Sequence, residues 1–277
     1  MRLAVTIAVC IATIYASICA AFYVMQGRLV YVPARALSYT PRHLGLAYDE
    51  VALTAEDGVR LSAWVVRGSA SGRWMLYCHG NGGNLSTHLG SIRTWHRAGL
   101  NVLMFDYRGY GRSEGEPFEQ GLYRDAEAAW RYLTETLRIS PAEIVVYGES
   151  LGGGVATWLA EKHAPRALML KSTFTSVADM GARLYPWLPA RLLCRNLFPS
   201  VDRVARIDCP ILFLHAPDDP LIPYEMGKQL YAASRASSRE RRWLDVDGGH
   251  GAGVDTQSPQ TQRAVVDFAT ATLGTPG

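Results

Sequence analysis

The sequence has few of the residues that mark a metal or redox site. Its 277 residues hold five cysteines and seven histidines, and none of them fall in a C-x-x-C or H-E-x-x-H spacing. Those spacings put ligands on one face of a turn or helix, so without them no metal site is legible and no cofactor is implied. Cys10 and Cys19 lie in an apolar run, and Cys78 ends a core-like strand, where a thiol serves as a small hydrophobe. Cys194 and Cys209 could pair in an oxidising compartment, but their spacing does not demand it.

Charge of one sign is scarce too. Lysine and arginine total 28 against 25 aspartates and glutamates, a net charge of +3. The basic residues are dispersed, which argues against a nucleic-acid footprint. Internal repeats and low-complexity tracts are missing. With 48% hydrophobic and only 19% charged residues, the chain can bury a large core, and its length suits one α/β enzyme domain.

Residues 3–25 carry no charged side chain, and Arg2 and Arg28 bracket them. A helix of that length can cross a hydrocarbon core. A cleaved signal peptide and a buried core helix are the competing readings, and for the first Cys19-Ala20-Ala21 is a poor cleavage site. Residues 1–27 are therefore expected to be an uncleaved single-pass anchor, followed by a linker over 28–47 that contains Pro33 and Pro41. Arg2 and the amino group oppose Arg28, Arg35 and Arg42 across the run, so charge does not orient the anchor.

From residue 48 onward the patterning becomes regular. Residues 48–54 and 59–66 alternate as strands around Glu56-Asp57-Gly58, which predicts an antiparallel hairpin. Short apolar strands are then expected at 74–78, 101–105, 144–147, 167–170, 211–214 and 242–244. Helical patterns at 85–98, 122–137, 224–233 and 262–273, and one after residue 150, alternate with them. Continuous apolar strands separated by helices predict a mostly parallel sheet covered on both faces. Residues 173–206 break the rhythm and are rich in apolar groups. Insertions of this kind are lids or small caps with their own core. Leu184, Trp187 and Leu188 are the expected substrate-lining residues.

Gly148-Glu149-Ser150-Leu151-Gly152 follows the strand at 144–147. In that context a G-x-S-x-G sequence lifts a serine hydroxyl onto a sharp strand-to-helix turn, and an incidental turn serine is the competing reading. A serine hydroxyl needs a base, and the base needs an orienting carboxylate. In a parallel sheet such partners sit just beyond strand ends. His250, between glycines after the strand near Trp243, suits the base, and one of Asp218 and Asp219, after the strand ending near His215, suits the acid. An oxyanion needs N–H donors. The backbone of Leu151 supplies one, and the loop His79-Gly80-Asn81-Gly82-Gly83-Asn84 offers Asn81 as the second. That loop lacks the lysine and hydroxyl residue of a phosphate-binding P-loop.

At these residues, together with Asp106–Ser113 and the turn 215–223, the chain resembles the serine α/β-hydrolase superfamily from residue 48 to its last residue. More narrowly, it is similar to membrane-anchored hydrolases of the serine-aminopeptidase-like type, a group that includes depalmitoylating acyl-protein thioesterases. The resemblance implies an α/β-hydrolase fold and puts the acid at Asp219. It also gives the Asp106–Ser113 loop a bracing role; Ala216, where many relatives carry glycine, departs from the pattern. The expected activity is hydrolysis of an ester or thioester through an acyl-enzyme on Ser150, without a cofactor, beside a bilayer. A serine peptidase on the same fold and an idle membrane-bound binding module are the alternatives.

Overall fold

A computed structural model describes residues 1–68, 72–235 and 240–271. The charge-free N-terminal run forms one helix, α1 (Arg2–Val30). Ala, Ile and Val dominate it, and no residue breaks it until Tyr31 turns extended. Residues 31–47, expected to be a linker, are tied to the rest of the chain. Strand β1 (Val32–Pro33) is followed by a 3₁₀ turn at Pro41–Leu44, and Tyr31 is buried. The next elements are β2 (Asp49–Thr54), β3 (Arg60–Val66), β4 (Trp74–Cys78) and β5 (Gly82–Gly83). Parallel pairing of β1 with β5 joins this segment to the loop after β4.

The chain continues through α2 (Leu89–Arg97), β6 (Asn101–Phe105), α3 (Glu119–Arg131), β7 (Ile144–Glu149) and α4 (Leu151–His163). Strand β8 (Ala167–Lys171) leads into the 173–206 insertion, which holds α5 (Val177–Leu184), α6 (Ala190–Leu193) and α7 (Ser200–Val204). Then come β9 (Ile211–His215), α8 (Tyr224–Ala233), β10 (Arg241–Asp245) and α9 (Pro259–Thr270). The helical pattern expected at 85–98 splits into a 3₁₀ turn at Leu85–His88 and α2. The last helix starts three residues earlier than expected and gives way to extended backbone at Ala271; residues 272–273 of the expected helix lie outside the described residues.

Eight strands form one sheet in the order β10-β9-β8-β7-β4-β6-β3-β2. β2 and β3 make the expected antiparallel hairpin, β3 runs antiparallel to β6, and the other neighbours are parallel. Each central strand feeds two cores because successive side chains point to opposite faces. In β4, Trp74, Leu76 and Cys78 join α3, α4 and α8, while Met75 and Tyr77 join α2 and α9. β7 divides the same way, Ile144 and Val146 on one face and Val145 and Tyr147 on the other. This double burial is why these strands read as unbroken apolar runs. Cys194 and Cys209 are both free thiols.

Candidate active site

The carboxyl ends of β4, β7, β9 and β10 converge at one edge of the sheet, where parallel α/β folds gather their functional groups. Ser150 stands between β7 and α4 with φ +54° and ψ −118°, a conformation that non-glycine residues adopt only under strain. Two glycines make the turn possible. A Cβ at Gly152 would lie 2.1 Å from the Cys78 carbonyl oxygen, and one at Gly148 would lie 2.5 Å from the Ala156 Cβ. The Ser150 N–H donates to the Lys171 carbonyl (2.9 Å), which fixes the turn against β8.

Ser150 Oγ lies 3.1 Å from His250 Nε2, and His250 Nδ1 lies 2.8 Å from Asp219 Oδ2. A carboxylate only accepts, so Nδ1 carries the proton and Nε2 is left to accept from the serine hydroxyl. Of the two candidate aspartates, Asp219 meets His250, while Asp218 is exposed. Burial works to raise the Asp219 pKa. Donation from His250 and from the Ile222 and Leu221 N–H groups outweighs it and holds the carboxyl at about 2. His215 Nε2 donates to the Ile222 carbonyl (3.0 Å) and lies 3.5 Å from Asp219 Oδ2. Burial lowers its pKa and keeps it neutral beside the acid.

Leu151 opens α4, so its N–H is one of the helix donors without an intrahelical acceptor. The loop after β4 lies against Ser150, because a Cβ at Gly80 would stand 3.6 Å from the Ser150 Cβ. Asn81 sits in that loop, and its side chain makes three hydrogen bonds. Nδ2 donates to the Val30 carbonyl (2.6 Å), while Oδ1 accepts from the Val32 N–H (3.0 Å) and the Tyr110 hydroxyl (2.7 Å). The end of α1 is thus fastened to the loop expected to hold the oxyanion. The Asp106–Ser113 loop is braced in turn: Arg108 forms paired bonds to Asp125 and Asp57, and Ser113 Oγ donates to the Asp106 carbonyl.

Ser150, His250 and Asn81 share a cleft of about 610 Å³ with Val32, Thr87, His88, Ser91, Leu221, Asp255 and Thr256. Leu184, Trp187 and Leu188, expected to line the substrate site, do not line this cleft. Leu184 and Trp187 point outward, and Leu188 is buried in a separate apolar cavity of about 80 Å³ between α1 and the 173–206 insertion. Part of the insertion's apolar surface, Leu188 and Leu193 among it, faces α1, while Phe198 and Val204 join the core beneath the sheet.

One pair went unread in the sequence. Glu149 and Lys171 end β7 and β8 in register, on either side of the Ser150 turn. Lys171 Nζ donates to Glu149 Oε1 (2.9 Å) and to the His250 carbonyl (3.2 Å), and the Tyr77 hydroxyl donates to Glu149 Oε2 (2.8 Å). Burial is the largest influence on the Glu149 carboxyl and works to raise its pKa, but Lys171, His88 and the Tyr77 hydroxyl together outweigh it and lower it. A lone lysine closing an apolar strand was the available signal.

The family model for the alpha/beta hydrolase fold matches residues 73–199. An uncharacterized protein of Mycobacterium tuberculosis is 39% identical over 228 residues, covering 81% of this chain and 80% of that protein. The alpha/beta hydrolase domain-containing protein WAV2 of Arabidopsis thaliana is 34% identical over 247 residues, with 81% and 80% covered. Among solved structures, the Pyrococcus furiosus esterase Pf2001 superposes with a TM-score of 0.71 at 22% identity, over 85% of this chain and 97% of that one. That last likeness is one of fold. With curated relatives above 30% identity over four-fifths of their length, the chain belongs to the alpha/beta hydrolase family.

Proposed function

We propose that the protein is a serine hydrolase of carboxylic esters or thioesters. The observation that carries this reading is the continuous chain of bonds from Ser150 Oγ through His250 to Asp219. His250 Nε2 takes the hydroxyl proton as Ser150 attacks the carbonyl carbon. The backbone N–H groups of Leu151 and Asn81 stabilise the oxyanion, and the imidazolium returns the proton to the leaving group. Water, deprotonated by His250, then attacks the acyl carbon, and the imidazolium returns that proton to Ser150 Oγ as the carboxylic acid leaves. In the cleft, Glu149 already faces Lys171, and Asp255 lies 3.8 Å from Arg93. Neither carboxylate is spare for a substrate ammonium, which favours esters over aminoacyl amides.

Helix α1 serves in this reading as a single-pass membrane anchor. Its support is a 29-residue length and an apolar stretch with none of its side chains buried in the protein. The catalytic assignment is tested with a fluorophosphonate probe on the wild type and Ser150→Ala. Labelling of the wild type alone is expected; equal labelling of both, or of neither, refutes the nucleophile. Rates on p-nitrophenyl esters against aminoacyl amides then test the substrate class, and faster cleavage of the amides would refute the ester reading.

A further inference from the structure

Helix α1 does not stand clear of the rest of the protein. The Tyr15 hydroxyl donates to the Trp187 carbonyl (2.9 Å), and the Phe22 ring meets Tyr185 and Trp187 edge-on at 5.1 and 5.7 Å. Further along, the Arg195 guanidinium lies 4.7 Å over the Tyr23 ring, and Gln26 exchanges hydrogen bonds with Leu193 and Arg195. The 173–206 insertion therefore runs alongside α1 from Gln26 back to Tyr15. At 1.5 Å per residue, the step from Tyr23 to Tyr15 is about 12 Å along the axis.

A hydrocarbon core is about 30 Å thick. The part of α1 beyond these contacts, residues 3–14, is only about 18 Å long. It cannot span the core by itself. If α1 crosses the bilayer, the remaining depth of about 12 Å must be shared with the insertion that lies against it. The insertion's surface suits that place: Leu184, Trp187 and Leu192 are 57%, 52% and 86% exposed. Its exposed cations, Arg183, Arg191 and Arg195, have stems long enough to reach a headgroup layer, and Arg191 also bonds Asp179.

We infer that residues 184–195 sit within one leaflet of the bilayer, with Leu184, Trp187 and Leu192 in contact with lipid. The inference rests on the reading of α1 as a transmembrane anchor. It sets the hydrolase against the membrane as a partly embedded body instead of hanging it from a flexible tether. Because the end of α1 is bonded to Asn81, the cleft then lies close to the lipid surface, and lipid-borne acyl groups are the substrates within its reach.

The test uses the full chain in phosphatidylcholine vesicles with the photocrosslinker p-benzoylphenylalanine at one position at a time. The positions are Leu192 on the insertion, Ile11 in the unaccompanied part of α1, and Glu135, exposed near the amino-terminal edge of the sheet. Lipid adducts at Leu192 and Ile11, with none at Glu135, are expected. Adducts at Ile11 without Leu192 overturn the embedding and leave the anchor standing. Adducts at neither position overturn the anchor, and the embedding with it. Adducts at Leu192 without Ile11 overturn the depth argument, because α1 would not then cross the bilayer.

Discussion

Replacing Lys171 with methionine should cost the protein stability and activity by two separable routes. Lys171 is fully buried, and Glu149 nearly so. Methionine fills the same volume but leaves the Glu149 carboxylate buried with only the Tyr77 hydroxyl as a strong partner. Breaking a buried ion pair from one side costs about 3–5 kcal/mol. That is a large part of the roughly 5–15 kcal/mol that holds a typical domain together. Glu149→Gln combined with Lys171→Met removes both charges and should recover most of the loss, since neutral replacement of a whole buried pair is often tolerated. Activity should not recover with it. Lys171 also donates to the His250 carbonyl, and methionine has no donor to hold that loop. A displacement of about 1 Å at a reacting group can lower the rate about 100-fold. Denaturant midpoints of the wild type, the single and the double variants, read beside kcat and KM on a p-nitrophenyl ester, separate the effects. A single variant within about 1 kcal/mol of wild type would remove the energetic role, given the range for broken buried pairs. Full kcat in the double variant would remove the positioning role.

Asp219→Asn should keep the fold but lower kcat by roughly 10⁴, because an amide donor facing Nδ1 puts the imidazole proton on Nε2; a loss below tenfold would refute the role of Asp219. The Asp219 pKa is depressed to about 2 from an unfolded value near 3.9, so its contribution is full above about pH 4 and is lost as pH falls towards 2. Glu149 is shifted in the same direction. The stability gap between the wild type and Asp219→Asn, followed by urea midpoints, should therefore close below pH 4, and a gap unchanged at pH 3 would contradict the shift. Asn81→Ala removes three side-chain bonds at about 0.5–1.5 kcal/mol each and should lower stability by roughly 2–4 kcal/mol; a thermal midpoint equal to wild type would show that α1 is not fastened there.

The sheet was legible because its central strands are buried on both faces, so β4, β7 and β9 had to be written in apolar residues and bounded by turn chemistry. Ser150, His250 and Asp219 were legible for another reason. Each follows a strand end, and a parallel sheet brings strand ends together without any further information. Glu149 and Lys171 were not legible, since their pairing depends on the register between β7 and β8. That register is a property of two strands, and neither sequence segment states it alone. Leu184, Trp187 and Leu188 failed for a related cause. Composition showed that the insertion must bury apolar surface, but not which partner would cover it.

Part of that cover is α1, and this changes what the first 47 residues do. An apolar helix followed by prolines reads as an anchor and a tether, two parts that can move apart. In the folded chain the helix is bonded along one side to the insertion, its last carbonyl accepts from Asn81, and the strand after it pairs with Gly82 and Gly83. The loop that faces Ser150 therefore takes its shape partly from the end of α1. Apolar surface removed from water contributes about 25 cal/mol per Å² only where water was the alternative, and if α1 is the proposed anchor its alternative is lipid. Contact between α1 and the insertion must then rest on packing and on bonds such as Tyr15–Trp187 and Gln26–Leu193. These are directional, so they fix where the catalytic body sits along the helix as well as holding it there.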